Sequence, residues 1–135
     1  MDREGIDVAV ILPVAPYISN EYVSKIVDYE PKRLIGFASV VPNPADYAIK
    51  ELRYAVRELG LKGLKLHPGM QGFCLRSTHI WRVLRYSEPW ISKKDYALLP
   101  YIVPETKIIL AHMGGSFGFE DALQIAKHPN IYVDT

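Results

Sequence analysis

The segment Gly60–Pro68, with sequence GLKGLKLHP, decides the fold, because it predicts the end of a helix followed by a buried strand. Its first glycine can adopt the left-handed backbone that closes a helix. The leucines at positions 64 and 66 alternate with Lys65 and His67, which is the two-residue period of a strand. Pro68 ends the strand, because proline has no backbone N–H for the ladder.

A second segment repeats this design. Lys107–His112, with sequence KIILAH, is an apolar run that ends on a histidine, and Met113–Gly115 follows it. Two strands that each finish on a histidine indicate one rim of a parallel α/β barrel, where such barrels place their chemistry. The predicted fold class is therefore α/β.

Strands and helices alternate along the first half of the chain, which predicts a parallel sheet with right-handed crossovers. No strand pattern occurs between His67 and His112, so about five parallel strands are predicted in all. The predicted strands are Ile6–Val14, Arg33–Val41, Leu64–His67, Lys107–His112 and Ile131–Asp134. The first predicted helix runs from Ser19 or Asn20 to about Glu30. The second has Asn43 as cap and Pro44 as first residue and ends at Gly60. A third begins near Ser77 and carries Ile80, Val83 and Leu84; residues 95–103, which are apolar but contain Pro100, are predicted as a helix facing the core; and a last helix carries Phe119, Ala122, Leu123 and Ala126. In the second of these helices, an apolar stripe runs through Ala45, Ala48, Ile49, Leu52, Ala55, Val56 and Leu59.

Length and composition predict one soluble domain over residues 1–135. The chain has 135 residues, of which 49% are hydrophobic and 23% charged, so it can bury a core. A net charge of +1 gives no reason to expect nucleic acid or a membrane surface as partner. One cysteine, Cys74, excludes an internal disulfide framework and fits a reducing compartment. Without a signal region or an apolar run of membrane-spanning length, we expect a cytoplasmic protein.

Three motifs in chain order resemble successive barrel strands of the amidohydrolase-related family, in the branch that contains aminocarboxymuconate-semialdehyde decarboxylase. They are Gly63–Pro68 (GLKLHP), Ile109–Gly115 (ILAHMGG) and Pro129–Thr135 (PNIYVDT). The resemblance implies a (β/α)₈ TIM barrel and covers nearly the whole chain. It places these motifs on the fourth, sixth and seventh strands and the strand at Ile6 on the second. A complete barrel takes about 250 residues, so we expect a partial barrel.

The resemblance also implies a divalent metal, usually zinc, at the carboxyl rim of the barrel. The family takes its metal ligands from a His-x-His motif on the first strand, a histidine on the fifth and an aspartate on the eighth. No His-x-His motif occurs in this sequence, and neither the fifth-strand motif nor the eighth strand is found. We therefore name no metal ligand, and we expect that this chain does not bind the metal tightly, since catalytic zinc takes three protein ligands.

Four residues remain as site candidates. His112 matches the sixth-strand histidine of the family and is the candidate catalytic residue, because an imidazole at a strand end can act as general acid or base; a histidine hydrogen-bonded in the core is the alternative. His67, Lys65 and Asp134 are candidate substrate-binding residues. For Lys65 a paired structural role is the alternative, and Asp134 would orient the substrate or support the inner site residues. His79 and His128 are expected to face solvent, and Cys74 to pack as a small apolar residue.

The function implied by the resemblance is that of a metal-dependent hydrolase or decarboxylase acting on a small carboxylated or amide substrate, with this chain a fragment of it. The alternative is a non-catalytic remnant that acts by associating with another chain. A barrel that lacks strands has open edges ready to pair, so we also expect self-association or a homo-oligomer. A small molecule is the expected ligand, and neither nucleic acid nor a membrane is an expected partner.

Overall fold

The computed structural model describes residues 1–73, 82–83, 107–110, 123 and 126–133. The amino-terminal part alternates strands with helices, as predicted, and a short 3₁₀ turn precedes it. In chain order the elements are the turn Asp2–Glu4, β1 (Ala9–Ile11), α1 (Asn20–Tyr29), β2 (Leu34–Gly36), α2 (Ala45–Arg57), α3 (Pro68–Gln71), β3 (Ile108–Leu110) and β4 (Ile131–Val133).

Three chain segments run parallel in the amino-terminal part. β1 pairs with β2 from Ala9 opposite Leu34 to Ile11 opposite Gly36. Beyond β2, Ala38 forms a parallel bridge with Leu64, in which the Ala38 N–H donates to the Gly63 carbonyl at 2.7 Å. The third segment therefore lies beside β2, which confirms the predicted succession of parallel strands.

These strands are shorter than predicted. β1 and β2 have three residues each instead of nine, and the segment Leu64–His67 makes a single bridge instead of a continuous strand. For β1 the physical reason is Pro13, which follows closely and has no N–H to continue the ladder. For the third segment it is Pro68, which begins a new helical turn.

The helix boundaries confirm some of the predicted signals and correct others. Ser19 caps α1, since its Oγ accepts a hydrogen bond from the Tyr22 N–H at 3.2 Å. Only the predicted start of α2 was wrong, because Pro44 occupies the cap position without a side-chain hydrogen bond and the helix begins at Ala45. α2 ends at Arg57, three residues before Gly60, but Gly60 has the predicted left-handed backbone, with a φ of 69°.

One face of the sheet carries the core. The buried stripe of α2 packs against it as predicted, although Val56 is 47% exposed and does not belong to that stripe. Val83, predicted on the helix after Ser77, is fully buried in the same cluster. The buried cluster comprises Val23, Ala38, Val40, Ala45, Ala48, Leu52, Ala55, Leu61, Leu64 and Val83.

The strands predicted near the carboxyl end are present and adjacent. β3 and β4 run parallel, with Ile108 opposite Ile131 and Leu110 opposite Val133. Leu123 is helical, as predicted, and is 48% exposed. Cys74, His79 and the other helix residues predicted after Ser77, apart from Val83, lie outside the described residues. Within the described part of the chain, no helix is long and apolar enough to span a membrane.

Candidate functional site

Polar side chains connect the chain where it leaves β1, β2 and the Leu64 segment. Because these three segments are parallel, their carboxyl ends meet at one edge of the sheet. Asn20, Ser39 and Gln71 bridge the backbone at this edge, and we call these three residues the strand-end network. Asn20 and Ser39 are 2% and 1% exposed, so this part of the network is buried.

Asn20 holds the chain after β2. Its Oδ1 accepts the Ser39 N–H at 2.8 Å, and its Nδ2 donates to the Ser39 carbonyl at 3.0 Å. The Ser39 hydroxyl in turn accepts the Ala15 N–H at 3.0 Å, which ties the chain after β1 to the chain after β2. A buried residue at the start of α1 therefore fixes two strand ends through paired hydrogen bonds.

Gln71 brings the third segment into the same network. Its Nε2 donates to the Val40 carbonyl at 3.0 Å and to the Ala15 carbonyl at 3.2 Å, and it lies 3.3 Å from the Ser39 Oγ. Its Oε1 accepts the His67 N–H at 2.7 Å. One amide group therefore contacts all three strand ends.

His67 lies at the junction between the Leu64 segment and α3. Its side chain is half-buried, and its Nδ1 accepts the Met70 N–H at 3.2 Å. The Gln71 N–H donates to the His67 carbonyl at 2.9 Å, which closes the single turn of α3. The imidazole therefore caps the helix that follows it, in the way that shorter polar side chains usually do.

Lys65 shares the sheet face of His67, because side chains two residues apart in an extended segment point the same way. It is half-buried, and its backbone N–H donates to the Ala38 carbonyl at 2.7 Å. No hydrogen bond or ion pair joins its ammonium group to another residue of the described ranges. A cation and an imidazole on one face near a strand end can together bind an anionic oxygen.

Glu51 lies beside the strand-end network on α2, and its acidity departs from the ordinary value. Its Oε1 accepts the Asn20 Nδ2 at 3.2 Å. Burial raises the pKa of Glu51 above 4.5, and the negative charge of Glu21 raises it further. The carboxyl group thus touches the strand-end network from the helix side and is easier to protonate than an exposed glutamate.

The sequence-predicted site residues fall into two groups. Lys65 and His67 lie at the carboxyl edge of the sheet, as predicted. His112 and Asp134 lie outside the described residues, so their place at a common rim stays a prediction; they follow the adjacent parallel strands β3 and β4.

The strand-end network was not predicted from sequence. The sequence marks Asn20 only as a possible helix cap, and no local pattern singles out Gln71. Ser39 carried the best available signal, since it is a polar residue inside the apolar run Gly36–Val41. A buried polar residue needs hydrogen-bond partners, and their positions mark where other chain segments come close.

The described residues do not supply a metal centre. Within residues 1–73 and the shorter described ranges, no group of three or more histidine, cysteine, aspartate or glutamate side chains could hold a metal ion. The Lys65–His67 edge alone therefore does not fit the three-ligand site of a catalytic zinc.

Comparisons with known proteins agree with the partial barrel. The chain is 27% identical over 143 residues to 2-amino-3-carboxymuconate-6-semialdehyde decarboxylase of Dictyostelium discoideum, an alignment that covers 80% of this chain and 40% of that protein. An uncharacterized TIM-barrel protein of Bordetella bronchiseptica superposes with a TM-score of 0.82 at 13% identity, covering 98% of this chain and 56% of the other. The 5-carboxyvanillate decarboxylase of Novosphingobium aromaticivorans, solved with manganese and 3-methoxy-4-hydroxy-5-nitrobenzoic acid, gives a TM-score of 0.69 at 17% identity and covers 100% and 57%.

The chain therefore has part of the TIM-barrel fold and spans about half the length of the proteins it matches. Its resemblance to the decarboxylase branch is confirmed. The first two thirds of the sequence decide the assignment, because residues 1–90 match the sequence profile described as amidohydrolase. The chain belongs to the amidohydrolase family.

Proposed function

We propose that this chain is part of an amidohydrolase-type decarboxylase or hydrolase that acts on a small carboxylated substrate or an amide. The observation that carries the proposal is the edge formed by Lys65 and His67, in a chain of the amidohydrolase family. An ammonium group and an imidazole N–H suit a substrate carboxylate, because charge-assisted hydrogen bonds to carboxylates are stronger than neutral ones. The two decarboxylases described above have names that specify carboxylated compounds, which favours the same substrate class.

In this proposal Lys65 and His67 bind the substrate, and Asp134 orients it. His112 moves the proton, since an imidazole titrates near neutral pH and can both give and take a proton. Decarboxylation requires a proton at the carbon that loses CO₂, and hydrolysis requires one at the leaving group, so the same histidine serves either reaction.

The metal is a separate part of the proposal. A divalent ion is expected in the complete barrel; zinc was expected from the resemblance, whereas the solved carboxyvanillate decarboxylase contains manganese. Because the described residues lack a ligand set, we assign no step to the metal and expect it to need residues beyond those described.

The test is turnover of ¹³C-carboxyl-labelled aromatic and muconate-type acids, with a matching set of amides, in the presence of Mn²⁺ or Zn²⁺. Carbon NMR separates release of labelled bicarbonate from hydrolysis in one measurement. Turnover by a complete barrel that contains this chain, lost in His112→Asn and weakened in Lys65→Met, would support the proposal. Lys62→Met is the matched control, since this exposed lysine lies earlier in the same segment. No turnover, or turnover unchanged in His112→Asn, would contradict it.

A second candidate is a non-catalytic chain that associates with a second copy of itself. The observation in its favour is the sheet face opposite the core, where Val8, Val10 and Leu12 are 49%, 48% and 43% exposed. An apolar face this open is costly in water and favours self-association. Analytical ultracentrifugation tests it: a dimer at micromolar concentration supports the candidate, and a monomer at every concentration rejects it.

A further inference from the structure

We propose that His67 is held with its proton on Nε2 and serves the site as a hydrogen-bond donor, and that Gln71 is the residue that positions it. The ligand of this donor is an acceptor oxygen of a carboxylate or carbonyl group. That ligand rests on the proposed function, whereas the proton position rests on the geometry around His67 alone.

The hydrogen bond at Nδ1 determines where His67 carries its proton. Because Nδ1 accepts the Met70 N–H at 3.2 Å, its lone pair is occupied and it carries no proton. In a neutral imidazole one nitrogen donates and the other accepts, so the proton lies on Nε2. His67 therefore offers a donor, not a lone pair, to a group that approaches its Nε2.

The hydrogen bonding of His67 differs from that of a histidine that binds a metal. A histidine that binds a metal through one nitrogen almost always donates the N–H of its other nitrogen to a carbonyl, carboxylate or water. Here the second nitrogen accepts a hydrogen bond instead of donating one. His67 is therefore configured against metal coordination and for donation to an oxygen.

Gln71 holds α3 in the position that orients the His67 side chain. The orientation of the Gln71 amide is determined by its surroundings, since its Nε2 faces the carbonyls of Ala15 and Val40 and its Oε1 faces the His67 N–H. The reverse orientation would oppose oxygen to two carbonyls and donor to donor. Gln71 thus anchors α3 to the strand ends, and α3 presents the Met70 N–H to the imidazole.

The experiment is long-range ¹H–¹⁵N NMR of the histidine side chains in the uniformly ¹⁵N-labelled full chain, at a pH where His67 is neutral. The chain has four histidines, and His67→Gln identifies the relevant signals by their loss. We expect Nδ1 to give the signal of an unprotonated nitrogen and Nε2 that of a protonated one, without averaging between them.

Met70→Pro removes the donor to Nδ1, and proline is tolerated in the first turn of a helix. Since one hydrogen bond contributes about 0.5–1.5 kcal/mol, the ratio of the two tautomers should move about fivefold toward the Nδ1–H form. Gln71→Met should move it in the same direction by loosening the turn. Gly69→Ala is the matched control, because it keeps the Met70 N–H and, among the described residues, its Cβ would make only ordinary van der Waals contacts, with the His67 ring at 3.8 Å and 3.9 Å. It should leave the ratio unchanged.

A native His67 with its proton on Nδ1, or a tautomer ratio in Met70→Pro and Gln71→Met equal to that of the native chain, would overturn the proposal. The native spectrum alone decides the first outcome, even if a variant does not fold. Benzoate and then Mn²⁺ serve as probes of the ligand. Benzoate should shift the Nε2–H proton downfield, and Mn²⁺ should not coordinate Nε2. A chain without turnover can still carry the His67 proton on Nε2, so the proposed function and the proposed tautomer can fail independently.

Discussion

The two faces of the amino-terminal sheet differ sharply in burial. On the face toward α1 and α2, Ala38 and Leu64 are 0% and 4% exposed. On the opposite face, Val10 and Ile35 lie side by side in the register of β1 and β2 and are 48% and 36% exposed. Both faces are apolar in sequence, so the difference comes from what covers them and not from residue type.

The helix-covered face accounts for the stability of the sheet, and the open face is the candidate surface for association. Burial of apolar area is the main source of folding free energy, so the helix-covered face holds the amino-terminal part together. The open face corresponds in a barrel to the interior, which is filled by side chains from all strands. Its exposed residues therefore contribute little to the stability of the isolated chain.

The largest expected effect is that of a core truncation on the covered face. Leu52→Ala removes a side chain that is 2% exposed and should lower the free energy of unfolding by about 3 kcal/mol. Val10→Ala, on the open face, should cost less than about 1 kcal/mol. Urea unfolding followed by circular dichroism measures both. Equal losses of unfolding free energy would contradict the difference between the faces, because they would show that both faces are covered in solution.

The next effect compares two glycines with similarly tight surroundings. A Cβ at Gly36 would lie 2.7 Å from the Leu61 Cδ2 and 2.9 Å from the Val23 Cγ1, both in the core, so Gly36→Ala should cost about 2 kcal/mol. At Gly63 the three atoms nearest to a Cβ all belong to the Phe37 ring, at 2.6 to 2.8 Å. Because a shift of one side chain would relieve this clash, Gly63→Ala should destabilise the chain less than Gly36→Ala, and the reverse order would contradict the comparison.

The third effect is on association through the open face. Val10→Lys places a charge among the exposed apolar side chains without touching the core, and it should weaken self-association about tenfold or more, which corresponds to about 1.4 kcal/mol. Sedimentation equilibrium of the native chain and the variant measures this change. Tyr47→Lys is the control, because Tyr47 is 64% exposed on α2, away from this face. A larger loss in the control would place the interface on the helix side.

The sequence predicts the order of the strands and helices better than it predicts their lengths and boundaries. The order of elements was predictable, because buried parallel strands and an amphipathic α2 leave clear periodic patterns. Strand lengths were not, because an apolar run shows where a segment is buried but not where its hydrogen-bonded ladder stops. The start of α2 was missed by one residue, since Asn43 and Pro44 fit a common capping pattern that the backbone does not follow.

The candidate site was predictable only where it lies on a strand. Lys65 and His67 follow from alternation within one segment. The strand-end network joins residues that are up to 56 positions apart, such as Gln71 and Ala15, and no local pattern marks such contacts. Nor could the tautomer of His67 be inferred, because it depends on α3, a short helix that the sequence analysis does not predict.

The smallest expected effect tests Glu51, the α2 carboxyl group that accepts a hydrogen bond from Asn20 of the strand-end network. The pKa of Glu51 is raised by burial and by Glu21, so the folded chain binds a proton more tightly than the unfolded chain. The resulting stability is fully present below pH 4.5, the ordinary value for the unfolded chain, and is lost as the pH rises through the raised folded value. Glu51→Gln keeps an oxygen for the Asn20 Nδ2 and removes the charge.

At pH 7 the Glu51→Gln variant should therefore be more stable than the native chain, by less than about 1 kcal/mol because the side chain is only half-buried. The gain should shrink as the pH falls through the raised folded pKa of Glu51 toward 4.5, because the native carboxyl becomes protonated over that range. Thermal unfolding of both chains at pH 4 and pH 7 measures this, with Glu58→Gln as a control for losing one exposed charge on the same side of the sheet. A variant less stable than the native chain at pH 7 would mean that Asn20 requires a charged acceptor, and that the strand-end network depends on the carboxylate itself.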